Sequence, residues 1–173
     1  MKLQIVKKLM IGMVLMLFSL SGQAHNPPAF SIDTKKFTFK INGKEVDKTS
    51  IDAILSAIDH GHRVVEKPNK TLYIYDELGF VIEKDSKGIA FKLFYAMGEK
   101  ENDPKSIFSG SLEINTLKVT ANVASPEIIA QLPKTEKTMV MKDMMMYMGD
   151  KFIITGESKN DVFKEIDFGF INK

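Results

Sequence analysis

Apolar and polar residues alternate from Phe37 to Ile41, and this alternation predicts a strand with one buried face. Asn42 and Gly43 follow, and Lys44 to Val46 continues as a second short extended segment. An Asn-Gly pair between two such segments is typical of a two-residue β-turn, because both of its residues tolerate positive φ. The first predicted element is therefore a β-hairpin.

A helical period follows the hairpin. Thr49 is the predicted cap, with Asp52 three residues further on, and the helix is expected to end near Gly61. One apolar stripe appears at the spacing i, i+3, i+4 and i+7, formed by Ile51, Ile54, Leu55 and Ile58. The spacing predicts a short helix that buries one face.

Three strand-like segments come next, at Thr71 to Tyr75, Gly79 to Glu83 and Ile89 to Tyr95. The segments between them are rich in Asp, Ser, Lys and Gly, which favours tight turns. These features predict an antiparallel meander of three strands. Residues 97–106 are polar, contain Pro104 and are predicted to form a loop or linker.

The same order of patterns then begins again. Leu112 to Val119 contains a central Asn115-Thr116 pair, which predicts a second hairpin. Ser125 precedes Pro126 and an apolar stretch, which predicts a helix that Pro133 limits to about two turns. Three further strands are predicted at Thr138 to Tyr147, Lys151 to Glu157 and Val162 to Phe170.

We therefore predict an α+β fold of antiparallel sheets with one short helix per unit. Its plan is two tandem ββαβββ-like repeats, with a first unit at residues 25–96 and a second at residues 107–173. One unit of this size buries little core alone, and stacking or pairing two units along an edge solves that problem.

Several short phrases resemble a group of small uncharacterised bacterial envelope proteins that are similar to toxin-immunity proteins. The phrases are Ile41 to Lys44, Asn69 to Phe80 and Phe108 to Asn115, and the likeness covers Phe37 to Val119. The chain departs from the group at His60 to Arg63, where a Leu-Gly-x-Pro-like helix exit is expected. The paired layout also resembles the tandem architecture of secreted β-lactamase-inhibitor-like proteins. The resemblance implies a protein that binds another protein.

The first 24 residues predict a cleavable signal peptide. Lys2, Lys7 and Lys8 precede an uncharged apolar run at residues 9–20, and small residues precede a cut after Ala24. The apolar run is too short to span a bilayer, and the absence of cysteine excludes a lipid anchor on that residue. We expect a soluble periplasmic or secreted protein that begins at His25 and keeps no stable membrane anchor.

The charge and composition of the chain exclude several classes of partner and of chemistry. Without the signal peptide, 21 basic residues remain against 22 acidic ones, so no strong field attracts nucleic acid. Disulfides and thiolate chemistry are excluded because the chain has no cysteine. Arg63 is the single arginine, so a dedicated phosphate site is not expected.

Catalytic motifs give little support to an enzyme. The chain contains neither Gly-x-Ser-x-Gly nor a zinc-protease histidine motif, so we predict a protein that is not an enzyme and needs no cofactor. The residues predicted to contribute to partner binding are surface aromatic and acidic ones: Tyr73, Tyr75, Asp76, Glu77 and Tyr147. The predicted function is an immunity-type inhibitor that occludes a periplasm-acting toxin.

Copper transport is the alternative. His25 would become the new amino terminus, where an α-amine and an imidazole together can chelate copper(II). Six methionines lie between Met139 and Met148, and thioethers suit copper(I). Methionine also fills apolar cores and adapts to protein partners, so the same cluster fits either function.

Overall fold

A computed structural model of the chain describes residues 26–134 and 137–171 and consists mainly of β-strands. The first half contains β1 (Ala29–Asp33), β2 (Thr38–Ile41), β3 (Lys44–Glu45), α1 (Ile51–Ile58), β4 (Arg63–Lys67), β5 (Lys70–Tyr75), β6 (Phe80–Asp85) and β7 (Gly88–Phe94). The second half contains β8 (Ser111–Ile114), β9 (Leu117–Val119), α2 (Ser125–Ala130), β10 (Thr138–Met141), β11 (Met144–Met148), β12 (Phe152–Lys159) and β13 (Val162–Ile171). Neither of these helices is long and apolar enough to cross a bilayer.

The strands form two sheets, and nearly all of their pairings are antiparallel. The smaller sheet has five strands in the order β3-β2-β1-β8-β9, in which β1 runs parallel to β8. The larger sheet has eight strands in the order β10-β11-β12-β13-β7-β6-β5-β4, and every pair of adjacent strands in it is antiparallel. The predicted α+β class with antiparallel sheets is therefore confirmed.

Both predicted units contribute strands to both sheets. In the larger sheet, the last strand of each half meets the other at the centre, with β7 antiparallel to β13. In the smaller sheet, β1 joins the two hairpins, because it pairs with β2 on one side and with β8 on the other. Each helix is followed by four strands instead of the predicted three. Residues 97–106 contain no helix or strand.

The core connects the two sheets through phenylalanine rings. Phe30 on β1 is 1% exposed, and its ring centroid lies 5.4 Å from that of Phe80 and 5.4 Å from that of Phe91. Phe91 on β7 stacks on Phe168 of β13, with centroids 4.8 Å apart. One continuous cluster of buried residues includes members of both sheets and both helices. The faces of the sheets that carry these rings therefore pack against each other.

The helix ends differ by a residue or two from the predicted positions. Ser50, and not Thr49, caps α1, because its hydroxyl accepts a hydrogen bond from the Ala53 N–H. Asp59 has the left-handed conformation at the carboxyl end, two residues before Gly61, the predicted end of the helix. For α2 the cap is Ala124, since Ser125 is already helical.

Two strands were missed, and one predicted strand is a hairpin. β1 has only two buried apolar residues, Phe30 and Ile32, and β4 is an edge strand with little apolar periodicity. The predicted strand from Thr138 to Tyr147 is divided into β10 and β11 by a turn at Lys142-Asp143. That turn contains no Gly, Pro or Asn to signal it. A contact from β12 stabilises the turn, because Ser158 N–H donates a hydrogen bond to the Asp143 carbonyl.

Candidate binding surface

The five residues predicted to bind a partner do not form one surface. Tyr75 is 0% exposed and stacks on Phe80 with centroids 4.3 Å apart, and Tyr147 is 2% exposed beside Phe152. These two tyrosines belong to the core. Tyr73 is half-buried, with its ring near that of His62. Burial raises the pKa of the Tyr75 phenol, as is usual for an ionisable group removed from water.

Asp76 has a structural partner. Its carboxylate accepts a hydrogen bond from the Arg63 Nε at 2.7 Å, and the Arg63 Nη2 also donates to the carbonyl of Asp103. The pair thus connects β4 and the end of β5 to the segment at 97–106. Glu77 is exposed in the turn after β5. Asp76 therefore helps to hold a loop in place, while Glu77 is available to solvent.

The methionine cluster has a clear geometry in the β10–β11 hairpin. Met139 is opposite Met146 and Met141 is opposite Met144, so these pairs share one face of the hairpin. Met145 is 0% exposed and points to the core, as Tyr147 does. Because side chains alternate along a strand, the remaining methionines lie on the opposite, outer face. We call this set of five the methionine face: Met139, Met141, Met144, Met146 and Met148.

The hairpin end of the methionine face is exposed. Met141 is 50% and Met144 is 38% exposed. Val140 is 46% exposed, and because it pairs with Met145 its side chain lies on the opposite side of the hairpin. On the other side of β10, a cleft of about 460 Å³ lies between Val140 and the start of α2, with Pro126 and Phe163 among its lining residues. β10 is an edge strand, so apolar surface continues from the outer face around the sheet edge to this cleft.

A trough lies further along the outer face. Its volume is about 560 Å³. Gly88, Ala90 and Gly169 form part of its lining on the two central strands, β7 and β13, where Ala90 pairs with Gly169. Ile153 and Thr155 of β12 also line it, and they pair with Met148 and Met146 of β11. The trough and the methionine face are therefore adjacent parts of one surface.

A charged cluster borders the trough. Lys92 Nζ lies 3.0 Å from Glu165 Oε1 and 3.4 Å from Asp167 Oδ2. Burial raises the pKa of Asp167 to about 6, although the nearby Lys92 ammonium acts in the opposite direction and the negative charges of Glu165 and Glu83 add to the rise. Asp167 Oδ1 is buried and accepts no hydrogen bond from the described residues. When Asp167 is ionised, its surroundings therefore stabilise its negative charge only in part.

The raised pKa of Asp167 predicts a pH-dependent stability. The folded protein holds this proton more tightly than the unfolded chain does, so stability falls as pH rises from about 4 through about 6. The side chain is still 33% exposed, so solvent screening reduces the effect, and we expect about 1–2 kcal/mol. Urea unfolding should show Asp167→Asn to be more stable than the parent at pH 7 and equal to it at pH 4. Equal stability at both pH values would contradict the raised pKa.

The described histidine and acidic side chains do not form a metal site. In residues 26–134 and 137–171, no three His, Asp or Glu side chains are placed to hold a metal ion. His62 is exposed and its ring packs against Tyr73 and Tyr75. His25, the amino-terminal residue in the copper alternative, lies outside the described residues, as does the predicted signal peptide.

Family membership follows from comparison with known sequences. Residues 31–128 match the family model described as a domain of unknown function, DUF7738, so more than half of the chain is covered and it belongs to this family. No curated protein matches the chain, and no solved structure matches it. The matched segment runs from within β1 through β9 to the start of α2. The methionine face lies beyond it.

Proposed function

We propose that the protein is exported, loses its signal peptide and acts in the bacterial envelope by binding another protein through the methionine face and the adjoining β10 edge. The observation that carries this proposal is the set of five methionines on one face of an edge hairpin, with Met141 half exposed. Methionine side chains are flexible and polarisable, and they are used at surfaces that adapt to partners. Exposed apolar surface at a sheet edge is otherwise an aggregation risk.

The two edges of the larger sheet support this assignment. β4 carries Arg63, Glu66 and Lys67, and charged side chains on an edge strand discourage pairing with another chain. β10 has the sequence Thr-Met-Val-Met, and none of these four residues is charged. Protection against edge pairing is therefore present at one edge and weaker at the other. A protein partner at the β10 edge would cover the apolar side chains there.

Inhibition of a toxin is the form of binding that the sequence resemblance favours. Such a protein needs no turnover, and it works by covering the active-site cleft of its target. Adaptable apolar anchors at the centre of the interface would be surrounded by charged side chains at its rim. Lys142 and Asp143 in the β10–β11 turn, together with Glu157 on β12, are exposed and suit the rim.

Tandem duplication is part of the same proposal, and two equivalent contacts support it. Asn42, in the first hairpin turn, accepts a hydrogen bond from the Ala29 N–H and donates one to the Ala57 carbonyl in α1. Asn115, in the second hairpin turn, accepts from the Thr34 N–H and donates to the Gln131 carbonyl at the end of α2. Each turn asparagine thus connects its hairpin to a residue of β1 or next to it, and to the end of the following helix.

Affinity capture from envelope extract tests the binding proposal. The parent should retain a secreted protein, and the double variant Met141→Lys/Met144→Lys should lose it, because two charges would have to be desolvated in an apolar contact. The double variant Val64→Lys/Ile107→Lys is the matched control, since Val64 is 50% and Ile107 is 51% exposed at other places. Retention of the same proteins by all three, or of none by the parent, would contradict the proposal.

Protection assays test the inhibitor role separately. Co-expression with the retained protein should rescue growth for the parent and for the control variant, but not for the methionine variant. Rescue by all three would place the inhibitory contact elsewhere on the molecule.

Copper binding remains the second candidate, because five thioether sulfurs share one face of a hairpin and soft sulfur ligands suit copper(I). A copper carrier would bind the metal through this face and would lose affinity in the methionine variant without retaining any envelope protein. The same variants therefore separate the two functions.

A further inference from the structure

The outer-face trough has the size and lining of a small-molecule site. Its volume of about 560 Å³ lies within the range of ligand pockets in proteins, roughly 300–1,000 Å³. Glycine and alanine on the central strands leave space above the sheet, where longer side chains would fill it. Ile153 and Ile171 supply apolar surface. The trough therefore suits a slender apolar molecule lying on the sheet.

The charges around the trough favour a cation. Among the described lining residues, Glu83, Asp85 and Asp167 contribute three carboxylates and Lys87 contributes an ammonium group. A further ammonium group, that of Lys92, lies beside Asp167. Glu83 is also paired with Lys70 at 2.8 Å, and Asp85 accepts hydrogen bonds from the N–H groups of Lys87 and Gly88. These two carboxylates have partners of their own. Asp167 also has a partner, Lys92, at Oδ2, but its Oδ1 has no donor among the described residues.

A buried acceptor without a donor costs free energy, and a ligand that supplies the donor recovers it. Oδ1 itself has almost no accessible surface, so the Asp167 side chain must turn towards the trough for an ammonium group to donate to this atom. Lys92 can stay beside the carboxylate when it does so. A carboxylate ligand would instead meet Asp167, Glu83 and Asp85 with like charge. The lining thus distinguishes between amphiphiles of opposite charge.

We propose that this trough binds a small amphiphilic cation, a molecule with a slender apolar body and a primary ammonium group that pairs with the Asp167 carboxylate. The apolar body lies over Ala90 and Gly169 and extends towards Ile153 and Ile171. This site goes beyond the proposed binding of a protein partner and does not depend on it, since the ligand is small and the methionine face is outside the trough lining.

Three probes of equal chain length test the site: n-octylamine, n-octanol and octanoate at pH 7. Amide resonances of the processed chain should shift saturably with octylamine at Gly88, Ala90 and Gly169. Octanol should bind roughly tenfold more weakly, because it lacks the charge-assisted hydrogen bond, and octanoate should bind more weakly still. Equal binding of octanoate and octylamine, or shifts confined to other parts of the molecule, would overturn the proposal.

Substitutions in the trough test where the ammonium group and the apolar body of the ligand bind. Asp167→Asn should reduce octylamine affinity to that of octanol and leave octanol affinity unchanged. Ala90→Leu and Thr155→Leu should each abolish binding of all probes by filling the trough, and the second serves if the first does not fold. Val64→Leu on β4 is the control and should bind like the parent. Unchanged octylamine affinity in Asp167→Asn would overturn the assignment of the ammonium site.

Discussion

Replacement of Phe30 by alanine is expected to lower the free energy of unfolding by about 3–5 kcal/mol, the range for large aromatic truncations in a core. Phe30 is 1% exposed on the central strand of the smaller sheet. Its ring lies near five others, in Phe39, Phe80, Phe91, Phe108 and Phe168. Four of those rings belong to the larger sheet or to the loop at residue 108, so neighbours held by different elements cannot all move in to close the cavity.

Equilibrium urea unfolding measures the effect, and Val162→Ala is the control. Val162 is 42% exposed, so its truncation should change the free energy of unfolding by less than about 0.5 kcal/mol. A loss below about 1 kcal/mol for Phe30→Ala would show that the two sheets are not joined through this ring.

Gly79→Ala should be nearly as damaging, for a different reason. Gly79 follows β5 with φ of 74°, a conformation that costs an alanine about 1–2 kcal/mol. A Cβ atom there would also overlap the backbone of Ile107 and Phe108. Backbone atoms can make room only if two segments separate, and overpacking of this kind costs about 1–3 kcal/mol more. We expect a total loss of about 3 kcal/mol in urea unfolding.

Gly43→Ala separates the two causes. Gly43 has φ of 78°, but a Cβ atom there would have no atom of the described residues within 4 Å. The control should therefore lose only the conformational part, about 1–2 kcal/mol. Equal losses at Gly43 and Gly79 would mean that the close approach of Ile107 to the β5–β6 turn contributes nothing.

Local patterns in the sequence predict most of the elements. The Asn42-Gly43 and Asn115-Thr116 turns, the apolar stripe of α1 and the meander from β5 to β7 all have signals within a few residues. β4 was missed because an edge strand needs no apolar alternation. The β10–β11 turn was missed because its strongest observed contacts come from Ser158, 15 or more residues away.

The candidate surface could not be predicted in the same way. The trough depends on Ala90 pairing with Gly169, and the charged cluster depends on Lys92 meeting Asp167. Each pair lies on strands from different halves of the chain, so only the order of strands in the sheet brings them together. Tyr75 and Tyr147 were predicted to lie at the surface because tyrosine is common in binding surfaces. The strand register instead points both side chains into the core.

Amide hydrogen exchange of the processed chain, alone and with the retained envelope protein, tests the central claim most directly. Binding through the methionine face predicts slowed exchange in Met139 to Met148 and unchanged exchange in β4 and β5 at the opposite edge of the same sheet. Slowed exchange in β4 and β5, with β10 and β11 unchanged, would contradict it.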